Sequence, residues 1–549
     1  MNIDSTLGPD PDLELARNEL AKSEQLVNHA LNFLKSQGEN SNQIVDTQQS
    51  ACYEIAHASA GLTMARAAIE YGTQGRLEAQ IACAFCADAI TDLRSRTIGR
   101  EAMWGLDAES INESSKFLST WRDPEVIGLF ADRPGEKHLS VEFELAADTF
   151  RKFAEKEIAP VAEHVHRANA DVPESVINGL AEMGGFGLSV PSQYGGFADG
   201  GEGDYLAMVI ATEELSRASL GIGGSLITRP EILTRALVKG GTEEQKKEWL
   251  PKLASAQVLA AVAVTEPDYG SDVAGITTQA IAYGNPTSGY LIKGVKTWCT
   301  FAARADVLML LARTNPDKSQ GHKGLSMFIV SKPRGDGSGF EFSQGPGENG
   351  RPSELAPGRM EGRPIDTIGY RGMHSYELAL DDWWVPADQL IGGDGGLGRG
   401  FYLQMEGFEN GRLQTAARAV GLMQAAYEVA LDYAKARKVF GRPIFDYQLT
   451  RVKLGRMAIV IQSARQFSYQ VARLMAQGEG SMEASMIKAY VCRACEWVTR
   501  EALQIHGGMG YAEEFAISRL FVDSRVLSIF EGADETLALK VIARRMLGS

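Results

Sequence analysis

The stretch "GYLIKGVKTWCTF", residues 289–301, decides the architecture. It is rich in β-branched and aromatic residues and bounded by turn-forming ones, which predicts a strand. Three comparable runs lie nearby: "VLAAVAVTEP" (258–267), "ADVLMLLART" (305–314) and "LSMFIVSK" (325–332). Together they predict a mostly β region over 256–385. On both sides of it, apolar residues recur at three- and four-residue spacing, which predicts helix. The run "GFYLQMEGFENGRLQTAARAVGLMQAAYEVALDYAKARKVFG" (400–441) opens the second helical region. The core order is therefore helices, strands, helices.

Four segments follow: an N-terminal helical extension (1–135), a helical domain (136–255), a β domain (256–385) and a C-terminal helical bundle domain (386–549). The extension holds three helix patterns, at 10–38, 48–72 and 76–99, rich in Ala, Ser, Gly and Cys and able to pack as a bundle. Within the β domain, residues 332–367 are so dense in Gly and Pro that regular structure is not expected. A long loop of this kind is usually functional or mobile.

The chain has 549 residues, 44% of them hydrophobic and 23% charged, enough apolar material for several cores. The formal net charge of −15 argues against nucleic acid as the main partner, because phosphate backbones require a basic footprint. It leaves room for a local basic pocket. No apolar run reaches the roughly 18 residues of a membrane span. The start, "MNIDSTLGPDPDLELA", has neither a basic nor an apolar leader region, so a cytoplasmic location is expected. Of six cysteines, Cys83/Cys86 and Cys492/Cys495 have a spacing that zinc sites use. Both pairs sit in Ala-rich, helix-like stretches, so small packing residues are the preferred reading, and no metal is expected.

Several motifs carry chemistry. "GDGGLG" (393–398) fits a dinucleotide fingerprint formally, but helix after helix follows it, with no returning strand, so a loop is the better reading. In "VTEPDYGSDVAG" (264–275), Thr265 and Ser271 flank a Pro-Asp-Tyr-Gly turn able to aim hydroxyls and N–H groups at a ligand edge. "KTWCT" (296–300) puts Trp298 between threonines in a strand, where it is either core or the wall for a flat heterocycle.

These motifs, in this order within a helix–strand–helix layout, resemble the acyl-CoA dehydrogenase family from about residue 136 to the end. The resemblance implies a mostly α fold with a central β domain: an α-helical domain, a β-barrel-like domain and a C-terminal four-helix bundle, preceded here by an extra helical block. It implies bound FAD, with Val264, Thr265 and Ser271 at the isoalloxazine edge, Trp298 over one face and Thr300 near the reactive edge. "ARKVFG" (436–441) would send Arg437 and Phe440 to the FAD of a neighbouring subunit, with Gln448 close by. "QIHGGMGY" (504–511) would hold the adenosine-diphosphate half through Gln504 and Gly508. Shared cofactor sites imply a homodimer at minimum. Electron-transfer flavoprotein is the implied electron acceptor.

The same resemblance explains "IFEGA" (529–533), where an acidic residue follows a bulky apolar pair. Glu531 would be the base that removes the proton α to the thioester carbonyl, its pKa raised by burial beside Ile529 and Phe530. Its backbone N–H and an FAD ribose hydroxyl would polarise the thioester oxygen, and the β-hydrogen would leave as hydride to flavin N5. Ser271, Arg412 and Gly532 would lie at the acyl-CoA. The alternative base position, on "FENGRLQTA" (408–416), holds Gly411 here, and Glu409 is offset from it. Ala533, Glu535, Phe301, His374 and Tyr376 depart from the common family pattern around the flavin.

The extension, the Gly/Pro insertion and the stretches "SLITRPEILTRALVKGG" (225–241) and "GYRGMHSYELALDDWWVP" (369–386) resemble the branch that oxidises (2S)-methylsuccinyl-CoA to mesaconyl-CoA in the ethylmalonyl-CoA pathway. That substrate is short and branched and carries a carboxylate, for which Arg229 is a candidate partner. A dehydrogenase for uncharged short or branched acyl-CoA, an acyl-CoA oxidase and a non-catalytic DNA-binding or assembly relative remain alternatives.

Overall fold

Eight strands form one sheet in the predicted β region: β1 (Ala260–Ala263), β2 (Gln279–Tyr283), β3 (Gly289–Thr300), β4 (Val307–Arg313), β5 (Leu325–Ser331), β6 (Phe340–Gln344), β7 (Gly358–Ile365) and β8 (Ser375–Pro386). The structure is a computed structural model describing residues 8–38, 40–107 and 115–548. Its helices include α1 (Leu13–Lys35), α2 (Gln49–Tyr71), α3 (Arg76–Thr97), α4 (Ser225–Gly240), α5 (Gly400–Ala436), α6 (Gln448–Ala476) and α7 (Ser481–His506). No helix among the described residues is long and apolar enough to cross a membrane. The chain divides into two units, Met1–Asp148 with Arg412–Ser549, and Thr149–Gly411.

In the Thr149–Gly411 unit the sheet order is β1-β4-β2-β3-β8-β7-β6, with β5 paired to β4. β4 runs parallel to β1 and antiparallel to β5. Its side chains alternate between two cores. Leu308, Leu310 and Ala312 join the one that includes Leu226, Phe328 and Val330, while Val307, Met309 and Leu311 join the one that includes Leu233, Leu250 and Ile329. Burial on both faces is why these strands read as unbroken apolar runs. β3 and β8, twelve residues each, form the antiparallel spine.

Residues 332–367 differ from expectation, because β6 and β7 lie inside them and pair antiparallel with each other. The pattern "FEF" at 340–342 outweighs the surrounding glycines. Phe340 and Phe342 stack with centroids 4.8 Å apart, the Lys332 ammonium lies 4.7 Å from the Phe340 ring, and buried Gln344 bonds both backbone groups of Trp384. The irregular backbone is confined to the connections.

In the other unit, α1, α2 and α3 pack together, as their pattern predicts, and α2 also packs on α6 and α7. The extension is therefore continuous with the C-terminal helices rather than a separate body. Asp12 caps α1 by accepting from the Leu15 N–H at 2.9 Å. Small residues permit close approach: a Cβ at Gly61 of α2 would stand 3.3 Å from the Tyr490 ring of α7. Cys83, Cys86, Cys492 and Cys495 are buried in this packing with free thiols.

Candidate active site

In the Thr149–Gly411 unit, four of the predicted flavin residues lie at a β-bulge, Trp298 and Thr300 on β3 and Val264 and Thr265 bonded beneath it. Lys296 pairs with Leu378 and Cys299 with Tyr376, so Thr297 and Trp298 together stand opposite Glu377 alone. Bulges re-aim side chains. Here Trp298 adopts φ +56° and is 57% exposed, unlike a core strand tryptophan. The bulge is pinned from beneath. The Thr297 N–H donates to the Thr265 carbonyl at 2.8 Å. The buried Lys296 ammonium donates to the Val264 carbonyl and to Glu266, both at 2.9 Å. Glu266 in turn accepts from the Thr277 and Thr278 N–H groups at 2.7 and 2.8 Å. Burial alone would raise the Glu266 carboxyl, but Lys296 and these bonds outweigh it and hold it down at about 2.

This is a rigid shelf. Val264 is buried, Thr265 half-buried and Ser271 exposed on the following turn, while the Thr300 hydroxyl lies 3.0 Å from that of Ser375. A flat, solvent-facing indole held on this shelf fits a flavin ring. Two departures from the family pattern face inward instead. Buried Tyr376 donates to the Asp336 carbonyl at 3.1 Å, and half-buried His374 lies 3.2 Å from Asp171. Phe301 is also buried, with φ +69°.

The same unit buries Arg229 on α4, where Nη2 donates to the Tyr370 hydroxyl at 3.1 Å. It is not a surface arginine. A short π-helical stretch, Leu220–Gly224, precedes α4, and a Cβ on Gly221 would stand 2.4 Å from the Arg371 carbonyl. The Tyr370 segment is thus packed directly on the start of α4.

In the other unit, Glu531 and Gly532 form a left-handed turn, with φ +55° and +101°. Such a conformation is unfavourable for glutamate and requires support from its surroundings. Lys488 of α7, 1% exposed, donates to the Gly532 carbonyl. The Arg418 guanidinium lies 4.7 Å from the Phe530 ring. Buried Arg412 donates to Ser485, one turn before Lys488, at 3.1 Å. Burial lowers the pKa of Lys488, and Glu531 and Asp534 act electrostatically in the opposite direction. Glu531 is half-buried and Ile529 is 54% exposed, so the apolar company predicted for the carboxylate is only partly enclosed. Access for a reactant requires that opening.

Lys488 was not legible as a site residue. Its only sequence signal is a lone charge on the apolar face of "ASMIKAYVC" (484–492). Arg437, Phe440 and Gln448 lie respectively just before, in the turn of and just after a two-stranded hairpin, Lys438–Val439 with Arg442–Pro443. All three are exposed, Phe440 at 98% and with φ +49°. Gln504 is exposed at the end of α7, and a Cβ at Gly508 would meet nothing within 4 Å, leaving its backbone open to a ligand.

Three family models match the chain: the acyl-CoA dehydrogenase N-terminal domain over 140–257, the middle domain over 261–383 and the C-terminal domain over 398–547. The chain is 42% identical to (2S)-methylsuccinyl-CoA dehydrogenase of Cereibacter sphaeroides over 414 residues, 75% of this chain and 71% of that one. It is 35% identical to an acyl-CoA dehydrogenase of Bacillus subtilis over 75% of this chain and 99% of that one. Among solved structures it resembles a glutaryl-CoA dehydrogenase in complex with glutaryl-CoA, with 29% identity and TM-score 0.67 over 75% of this chain and 97% of that one.

Proposed function

The chain belongs to the acyl-CoA dehydrogenase family, whose members are FAD-dependent oxidoreductases, and we propose that it oxidises (2S)-methylsuccinyl-CoA to mesaconyl-CoA. The observation that carries this reading is the 42% identity to an enzyme named for that substrate. The buried Arg229–Tyr370 pair adds chemical support. A substrate with a free carboxylate needs a fixed cation where water is excluded, and a guanidinium held by a phenol supplies one.

Glu531 removes the α-proton. The left-handed turn presents its backbone N–H to the thioester oxygen, which lowers the pKa of the α-carbon by stabilising developing negative charge. Gly532 lets the chain clear the acyl group, and Lys488 fixes the turn through the Gly532 carbonyl. Arg412 supports the CoA end. Val264, Thr265, Ser271, Trp298 and Thr300 would hold the flavin ring, which would supply the acceptor for the β-hydride when bound. Arg437, Phe440, Gln448, Gln504 and Gly508 complete the cofactor site of a second subunit, so the working unit is at least a homodimer. Electron-transfer flavoprotein is the partner class that would take up the electrons.

Anaerobic titration of the flavin absorbance tests the reading. Bleaching by near-stoichiometric (2S)-methylsuccinyl-CoA is expected. Bleaching by butyryl-CoA or isobutyryl-CoA alone would keep the family and discard this substrate.

A further inference from the structure

Two side chains of the N-terminal extension reach the segment that carries the base. Tyr53 of α2 donates its hydroxyl to Asp534 Oδ2 at 2.6 Å, and His57 Nε2, one turn further along α2, lies 3.2 Å from the same oxygen. The two rings meet edge-on with centroids 4.6 Å apart. His57 is 3% exposed and the Asp534 side chain 13%. Burial alone would raise the Asp534 carboxyl, but His57 and Tyr53 outweigh it and hold it below its ordinary value. The phenol is pushed up to about 12 by burial and by Asp534. Tyr53 therefore keeps its proton and serves as a donor to a charged acceptor, a strong form of hydrogen bond.

Asp534 comes two residues after the Glu531–Gly532 turn. Lys488 holds that turn from the family core through the Gly532 carbonyl, and Tyr53 and His57 hold the residue beyond it. A left-handed glutamate persists where its surroundings over-determine it, and the second anchor comes from outside residues 140–547, the range the family models span. Elsewhere the extension meets the C-terminal helices through exposed pairs such as Asp46 with Lys540 and Glu70 with Gln470, and through a buried bond from the Tyr427 hydroxyl to the Ala131 carbonyl at 2.9 Å.

On the reading of Glu531 as the base, we infer that the extension is a working part of the active site: Tyr53 and His57 are positioning residues that fix the base-bearing turn through Asp534.

The test compares the wild type, Tyr53→Phe, the double variant Tyr53→Phe/His57→Phe and Glu531→Gln as full-length holoenzymes. The acyl-CoA is whichever of (2S)-methylsuccinyl-CoA and butyryl-CoA bleaches the wild-type flavin. Four quantities are read: FAD content, KM, single-turnover flavin reduction, and exchange of the substrate α-proton with deuterated solvent. The double variant is expected to keep FAD content and KM within about twofold while reduction and α-exchange slow together by about tenfold or more, the size of effect that misplacing a reacting group produces. Wild-type rates of reduction and exchange overturn the inference, as does a loss confined to FAD content or KM. If the double variant does not fold, Tyr53→Phe, which deletes one oxygen, decides on the same criteria. If Glu531→Gln still reduces the flavin, the assignment of the base fails. If Glu531→Gln is inert and the Tyr53 and His57 variants match the wild type, only the present inference fails.

Discussion

The Lys488 ammonium donates to the Gly532 carbonyl, tying the middle of α7 to the residue that follows Glu531 in the turn. Lys488→Met separates the two consequences of that bond. Removing a buried charge relieves desolvation, while the orphaned carbonyl costs about 1–3 kcal/mol. The two oppose each other, so calorimetry should find the melting temperature little changed. The turn, however, loses its anchor. Single-turnover flavin reduction should slow by about tenfold or more.

Glu531→Gln keeps the shape of the turn and removes the base. The visible spectrum of the purified variant should retain a full complement of FAD. Reduction by substrate should fall by about a hundredfold to ten-thousandfold, the contribution of a positioned general base. Retained turnover would remove Glu531 from the mechanism and return attention to the helix that carries Glu409.

These two residues also mark what the sequence makes legible. Glu531 stands out because it sits between an aromatic and a glycine, away from the solvated faces where carboxylates ordinarily lie. Lys488 does not, because one lysine in an amphipathic helix ordinarily means a solvated face. Trp298 is legible by type, but its exposure depends on a bulge that exists only once β3 and β8 are paired. Residues 332–367 read as irregular because glycine and proline density masks the short aromatic alternation that becomes β6. The Tyr53–Asp534 bond joins residues 481 apart in the chain, and no local pattern predicts a contact of that separation.

Arg229 offers a test of substrate choice independent of the base. Arg229→Met should lower kcat/KM for (2S)-methylsuccinyl-CoA by at least about thirtyfold, matching the roughly 2 kcal/mol or more lost when one partner of a buried charge pair is truncated. Steady-state kinetics with butyryl-CoA should change far less, because that acyl group has no carboxylate to leave unpaired. Equal losses on both substrates would make Arg229 a structural residue of α4. Arg229→Lys should not restore the wild type, since an ammonium lacks the planar fork of a guanidinium.

The shelf beneath Trp298 gives the last test. Glu266 and Lys296 are both buried and bonded at 2.9 Å, and Lys296 also holds the Val264 carbonyl. Glu266→Gln leaves the ammonium buried without its counter-charge and should cost about 3–5 kcal/mol, with FAD released more readily on dilution. Acid sets the sign of the pH dependence. The Glu266 carboxyl is held at about 2, below its ordinary 4.5, so the folded state binds its proton less readily than the unfolded chain. Its stabilising contribution is complete above about pH 4.5 and disappears as the pH falls through about 2. The difference in melting temperature between wild type and Glu266→Gln should therefore be constant above pH 4.5 and narrow steadily below it. A difference that widens with acid would show that Glu266 is not the ionised partner of Lys296.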